Sequence, residues 1–259
     1  MEQTTQTRES TSVFAVASGI WGKRDVFVNY YFIEDEMSGQ WALIDAGLKW
    51  SADDIITIAN ELFGEDRAPA AIILTHGHFD HVGSARKLME HWNVPVFVHE
   101  EELPYVTGVS AYPPPDPEVG GGMMSTLSGL YPAGPIDLSE RVRTLPYDGS
   151  IPGFPEWRYI HTPGHSPGHI SLFREKDKVL IAGDALTTTK AESAFSTLLQ
   201  SPYLGGPPKY FTCNWASAKF SVMKLEALRP RIIASGHGRP MEGEEMLNDL
   251  DVLATHFDE

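Results

Sequence analysis

Thr75-His76-Gly77-His78-Phe79-Asp80-His81 places three imidazoles and a carboxylate within seven residues, directly after the apolar run Ala70-Ala71-Ile72-Ile73-Leu74. A core strand has no use for so many ionisable groups, and a solvated face does not normally follow so apolar a stretch. Imidazole nitrogens and carboxylate oxygens are the usual ligands of zinc, and they also suit iron or manganese. The segment therefore reads as a strand that runs into a ligand-bearing turn. Val82, Ala85, Leu88, Met89 and Trp92 recur at helical spacing and predict a helix after it. One such turn could supply most of a two-metal centre, with the remainder arriving from elsewhere.

Three later segments have the same form. Trp157-Arg158-Tyr159-Ile160 leads into His161-Thr162-Pro163-Gly164-His165-Ser166-Pro167-Gly168-His169, and Val179-Leu180-Ile181-Ala182 leads into Gly183-Asp184. Arg231-Ile232-Ile233-Ala234 leads into Gly236-His237-Gly238 after one serine. Each apolar run stops abruptly at a glycine-flanked His or Asp. Strand ends are where sheet proteins gather their ligands, because rigid strands position the loops that reach them.

In this order, His-x-His-x-Asp-His (76 to 81), Thr-Pro-Gly-His (162 to 165), Gly-Asp (183 and 184) and Gly-His (236 and 237) resemble the metallo-β-lactamase fold superfamily of metal-dependent hydrolases. Within it the chain looks most like the lactonase and glyoxalase II-like branch. The resemblance spans most of the chain and is far more specific for fold and site than for substrate. It implies a mixed α/β (α+β) architecture, a four-layer αββα sandwich with the metals at one edge. It assigns His76, His78 and His165 to one divalent ion and Asp80, His81 and His237 to the other, with Asp184 bridging. Two ions per chain are implied, zinc first, with iron or manganese as alternatives. A hydroxide shared by the ions would be the nucleophile, and Asp80 would also orient it or pass a proton to the leaving group, which makes Asp80 the candidate catalytic residue.

The reaction expected from that resemblance is cleavage of an ester, lactone or thioester. Hydrolysis of a small phosphodiester is the alternative. From other classes, a diiron oxidoreductase and a metal-stabilised binding protein rank lower. Diiron relatives carry Glu where this chain has His78, together with a flavin-binding extension. Few residues follow His237, which lowers the rank of glutathione thioesters, and the missing secretion signal does the same for β-lactams.

Composition narrows the partners. The chain has 259 residues, 42% of them hydrophobic, with no low-complexity break, and reads as a single domain over 1–259. Its net charge of −15 disfavours nucleic acid and leaves a small molecule as the expected substrate. Cys213 is the only cysteine, so neither an intrachain disulfide nor a Cys-rich metal site is available. It is read as a packing residue. The polar residues 1–10 lack the apolar core of a signal peptide, and no apolar run reaches membrane-spanning length. A cytoplasmic protein is the expectation.

Local patterning fills in the rest. Residues 13–16, 26–33, 41–44 and 94–98 predict strands, with a turn at 38–40. Ser51 is expected to cap a helix whose apolar face is Ile55, Ile56, Ile58, Ala59 and Leu62 and which Gly64 ends. Further helices are expected over 214–228 and about 243–256. Pro113-Pro114-Pro115 and Gly120-Gly121-Gly122 make 100–155 an irregular insertion, read as a lid over the site, and 186–208 is a second variable region. Asp45 is expected to orient a ligand rather than to bind metal. His169 fits either support of a ligand or an ordinary sheet position. His161 is expected to bond locally, and His91, His99 and His256 to be exposed. Tyr203 and Tyr210 suit the core better than the substrate site.

Overall fold

Strand alternation explains the layering. In the computed structural model, which describes residues 13–114, 136–190, 193 and 202–257, β3 (Val28–Glu34) sends Tyr30 and Phe32 to one face and Tyr31 and Ile33 to the other. Both faces are buried. Its partner β4 (Trp41–Ile44) does the same, with Trp41 and Leu43 on the first face and Ala42 and Ile44 on the second. Such strands need cover on both sides, and the sheet receives helices on one side and a second sheet on the other.

The first sheet has seven strands in sequence order: β1 (Val13–Ala17), β2 (Ile20–Asp25), β3, β4, β5 (Ala71–Ile73), β6 (Val96–Val98) and β7 (Val142–Thr144). Pairing is antiparallel from β1 to β4 and parallel from β4 to β7. The second sheet has the order β12 (Met241–Glu242), β11 (Ile232–Ser235), β10 (Val179–Gly183), β9 (Ile170–Arg174) and β8 (Trp157–His161). Ile44 and Ile73 of the first sheet meet Leu172, Val179 and Ile181 of the second in the central core. On the outside, Ile55, Ile58 and Phe63 of α1 (Ala52–Phe63) and Leu88 and Met89 of α3 (Ala85–Trp92) cover the first sheet. Val222 and Leu225 of α5 (Trp215–Ala227) and Met246 and Leu250 of α6 (Glu244–Thr255) cover the second. The result is the four-layer αββα sandwich. Each fully buried aliphatic side chain contributes about 1.5–3 kcal/mol, so the three apolar layers dominate its stability.

Topology also gathers the loops. β8 and β10 both run antiparallel to β9, and β10 runs parallel to β11. The carboxyl ends of β8, β10 and β11 therefore lie at one edge. Ile170 N–H donates to Thr75 O at 2.9 Å, which joins the carboxyl end of β5 to that same edge. A short α2 (Phe79–Val82) lies within the ligand turn, so the helix expected after residue 81 is split in two before α3.

Several expectations need correction. The predicted strand 26–33 is interrupted: Val26 adopts φ 57° and, with Phe27, turns the chain between β2 and β3. Ser51 does not cap α1 through its side chain, because its hydroxyl donates to Asp25 instead. The segment 100–155 is not irregular throughout. It contains α4 (Leu103–Val106) and β7, and Leu138, Leu145, Ile151 and Phe154 are buried. Residues 115–135, which include most of the expected lid, lie outside the described residues. Cys213 is exposed rather than packed, its thiol 3.3 Å from Gly164 O. His91 and His256 are exposed as expected, whereas His99 is partly buried and stacked on His161 with ring centroids 4.0 Å apart. Tyr210 is buried against Phe211, and Tyr203 is 45% exposed. Among the described residues no helix is long and apolar enough to cross a membrane.

Candidate metal centre

The strand ends deliver His76, His78, Asp80, His81, His165, Asp184 and His237 into one buried cage. Ligand-capable atoms of His76, His78 and His165 lie within 4.8 Å of one another, and so do those of Asp80, His81 and His237. His76, His81 and Asp184 make a third such group that connects the two. Asp184 is central: Oδ1 is 3.4 Å from His81 Nε2, and Oδ2 is 3.4 Å from His165 Nε2 and 3.1 Å from His237 Nε2. Asp80 Oδ2 is 3.6 Å from His237 Nε2 and 3.9 Å from His81 Nε2. His78 Nδ1 and His165 Nε2 approach to 2.8 Å.

His81 and His237 are held from behind. Asp45 Oδ2 accepts from His81 Nδ1 at 2.8 Å, which leaves His81 Nε2 facing Asp184 and Asp80. The same carboxylate accepts from Thr75 N–H at 2.7 Å and from the Thr75 hydroxyl, fixing the start of the ligand turn. Asp45 does this from a left-handed backbone, φ 60°, which Asp tolerates better than most residues. Phe27 O accepts from His237 Nδ1 at 2.8 Å. His169 holds the backbone of Asp184: its Nε2 accepts from Asp184 N–H at 2.9 Å, so the proton sits on Nδ1 and is donated to Thr162 Oγ1 at 2.8 Å. Gly236 is required by proximity, since a Cβ there would lie 2.1 Å from Asp184 Oδ1. Gly183 combines φ 55° with a space that leaves a Cβ only 2.7 Å from His169 Nε2.

Glu102 is the residue that sequence reasoning missed. It is fully buried, and its Oε1 accepts from Ser166 Oγ at 2.6 Å and Gly168 N–H at 2.8 Å. Its Oε2 accepts from Gly77 N–H at 3.0 Å and from the Tyr112 hydroxyl. One carboxylate thus ties the 75–81 turn to the 161–169 loop. Burial pushes its pKa up, yet all four partners are donors and suit the ionised form.

The donor set fits divalent cations. Among the described residues, the buried Nε2 atoms of His76 and His81 and Oδ1 of Asp184 have no hydrogen-bond partner. Leaving a buried polar group unpaired costs about 1–3 kcal/mol, and coordination satisfies such atoms directly. Burial and then neighbouring imidazoles hold His76 and His165 well below the ordinary histidine range, as neutral rings suited to coordination. Burial likewise lowers His78 to about 3. For His81 burial acts the same way, but Asp184, Asp45 and Asp80 outweigh it and hold the ring well above its usual value. Burial raises Asp80, while at Asp184 the pull of His237 and His81 overcomes burial and drives the carboxyl well down.

The family model of the metallo-beta-lactamase superfamily matches residues 24–237, which include every residue of this cage. The chain belongs to that superfamily. It is 46% identical over 245 residues to the probable metallo-hydrolase YflN of Bacillus subtilis strain 168, covering 94% of this chain and 93% of that one. A hydroxyacylglutathione hydrolase, GloC of Haemophilus influenzae, is 29% identical over 145 residues, 56% of this chain and 60% of that one. Among solved structures, the BLEG-1 B3 metallo-beta-lactamase is similar with a TM-score of 0.59 and 26% identity, over 88% of this chain and 92% of that one. Superfamily membership makes this chain a metallo-hydrolase relative with His and Asp clusters suited to divalent metal.

Asp45→Ala is expected to weaken metal binding by about 10–100-fold, because His81 would lose the partner that fixes its tautomer and orientation. Competition with a chromogenic chelator measures this. Unchanged affinity would show that Asp45 only ties Thr75 in place.

Proposed function

We propose that this chain is a dinuclear metal-dependent hydrolase, lactonase or glyoxalase II-like in chemistry, that cleaves an ester, lactone or thioester of a small molecule. The observation that carries this reading is one buried cage in which seven His and Asp side chains converge while several of their polar atoms lack a protein partner. His76, His78 and His165 would hold one ion, and Asp80, His81 and His237 the other, with Asp184 shared between them. When bound, two divalent ions in such a site supply water that ionises near neutral pH and positive charge for the oxygen of the bond under attack.

The chain's own residues set the geometry. Asp45 keeps His81 from rotating, His169 anchors the backbone at Asp184, and Glu102 keeps the two loops in register. Asp80 retains 6% exposure, whereas His76 and His81 have none, so its carboxylate borders the open side. With Oδ2 turned toward His81 and His237, the other carboxylate oxygen would be the one to take a proton from the attacking water and return it to the leaving oxygen or sulfur. The GloC relative, whose name denotes hydrolysis of an acylglutathione, favours acyl over phosphoryl substrates. The net charge of −15 works against polyanions.

A panel on zinc-loaded protein tests the reading, with an aryl ester, a lactone, a thioester, a β-lactam and bis(4-nitrophenyl) phosphate. At least one carboxylic ester class is expected to exceed the phosphodiester and the β-lactam in kcat/KM by roughly 100-fold. Preference for the phosphodiester would transfer the assignment to phosphoryl chemistry. Cleavage of none would leave a metal-stabilised binding protein.

A further inference from the structure

An arc of five aromatic rings borders the cage. His78, Asp80 and His237 each retain 6% exposure while His76 and His81 retain none, so the first three mark the mouth. Phe27, on the turn between β2 and β3, lies nearly parallel to the His237 ring with centroids 6.2 Å apart. Phe79 stands between Phe27 and Phe211, at 6.4 and 6.5 Å. Phe211 lies 4.8 Å from the His78 ring, and Tyr112 lies 4.4 Å from it. Tyr105 continues the line, stacked on Tyr112 at 4.1 Å.

These rings come from four separate stretches of chain and converge on His78 and His237 at the mouth. Phe27, Phe79, Phe211 and Tyr112 are only partly buried, unlike Phe32, Phe154 and Phe173, which fill the interior completely. Large rings held short of full burial beside a polar centre are what an apolar binding wall with a few fixed polar groups requires. The Tyr112 hydroxyl is engaged by Glu102 and Gly77 N–H, which pins the ring in place. Rings offer contact area and no charge with which to bind a carboxylate. The chain's net charge of −15 further opposes anionic substrates.

We infer that this arc is the acyl-recognition wall of the site, selecting uncharged esters, lactones or thioesters whose acyl group is aromatic or a medium-length alkyl chain. The inference rests on the hydrolase reading above and narrows its substrate class. Selectivity follows from area: each methylene placed against the wall leaves water, and an acetyl group is too short to use it.

The test is a series of esters of one alcohol with acetyl, hexanoyl, phenylacetyl and succinyl groups, on zinc-loaded protein. Hexanoyl or phenylacetyl is expected to exceed acetyl by roughly tenfold or more in kcat/KM, and succinyl to fall below both. In Phe211→Ala and Phe27→Ala that preference ratio is expected to shrink to about threefold or less, mainly through KM. A wild-type ratio near one, a preference for succinyl, or an unchanged ratio in folded variants would overturn the proposal. Should either variant fail to fold, the wild-type series alone decides. Should no ester be cleaved, the hydrolase reading fails separately, and ligand-observed NMR with hexanamide and succinamate still tests the wall. Preferential binding of hexanamide supports it, and equal or absent binding overturns it.

Discussion

Asp184→Asn is expected to lower turnover of any accepted substrate by roughly 10²–10³-fold, the scale seen when one preorganised electrostatic group is removed from a catalytic site. Asp184 touches both halves of the cage, His165 on one side and His81 and His237 on the other. Asparagine keeps its shape and discards the charge, leaving one oxygen where two were available. Both metal positions are therefore expected to weaken. Asp80→Asn serves as the contrast, because Asp80 pairs with His81 and His237 and, among the described residues, not with His165. It should cost roughly 10²-fold in kcat while the ion held by His76, His78 and His165 largely remains. Steady-state kinetics with metal analysis on each variant reads both quantities. Equal metal loss in the two variants would contradict the assignment of Asp184 as the shared ligand, and wild-type turnover in both would place the chemistry elsewhere.

Glu102→Ala is the second large effect, although no atom of Glu102 needs to touch metal or substrate. Removing its carboxylate strands the Gly168 N–H group and the Ser166 and Tyr112 hydroxyls and leaves Gly77 N–H with Tyr112 alone, in a position with no solvent exposure. Each stranded buried group costs about 1–3 kcal/mol, less whatever water enters the space the side chain leaves. A net loss of about 3 kcal/mol corresponds to a fall in Tm of about 6–12 °C for a chain of this size. Because the two loops it joins carry His76, His78, Asp80, His81 and His165, zinc affinity is expected to fall as well. Thermal unfolding of the metal-free and zinc-loaded variant separates these effects. A variant with wild-type Tm and zinc affinity would show that the loops are held by other contacts.

How much of this was readable in the sequence depends on how far each signal reaches along the chain. The segments that form the cage were legible because each follows a run of β-forming residues, a pattern contained in a few positions. The same holds for α1, α5 and α6, whose apolar spacing is local. Val26 was not legible: a β-branched residue in a left-handed turn contradicts its own propensity, and the turn between β2 and β3 is held from outside, by Phe27 O bonding His237. Ser51 looked like a cap, but Asp25, 26 positions earlier, competes for its hydroxyl. β9 carries little local signal: it follows a loop of Pro, Gly and Ser and includes Arg174, whose buried guanidinium pairs with Asp177. Glu102 sits in the run Glu100-Glu101-Glu102, which reads as a solvated face. Only the meeting of two distant loops gives its carboxylate four donors. Parity along β3 and β4 implied cover on both faces, whereas the order of the two sheets came from pairing that no local window contains.

The claim that unites these points is that one cage holds two divalent ions. The most direct measurement is metal content per chain, by elemental analysis after zinc loading and removal of free ion, for the wild type and for a double variant His76→Ala, His237→Ala. Close to two ions per chain are expected in the wild type, given the two groups joined by Asp184, and fewer than one in the double variant with circular dichroism still native. A wild-type value that stays below one with zinc in excess, or two ions retained by the folded double variant, would contradict the claim.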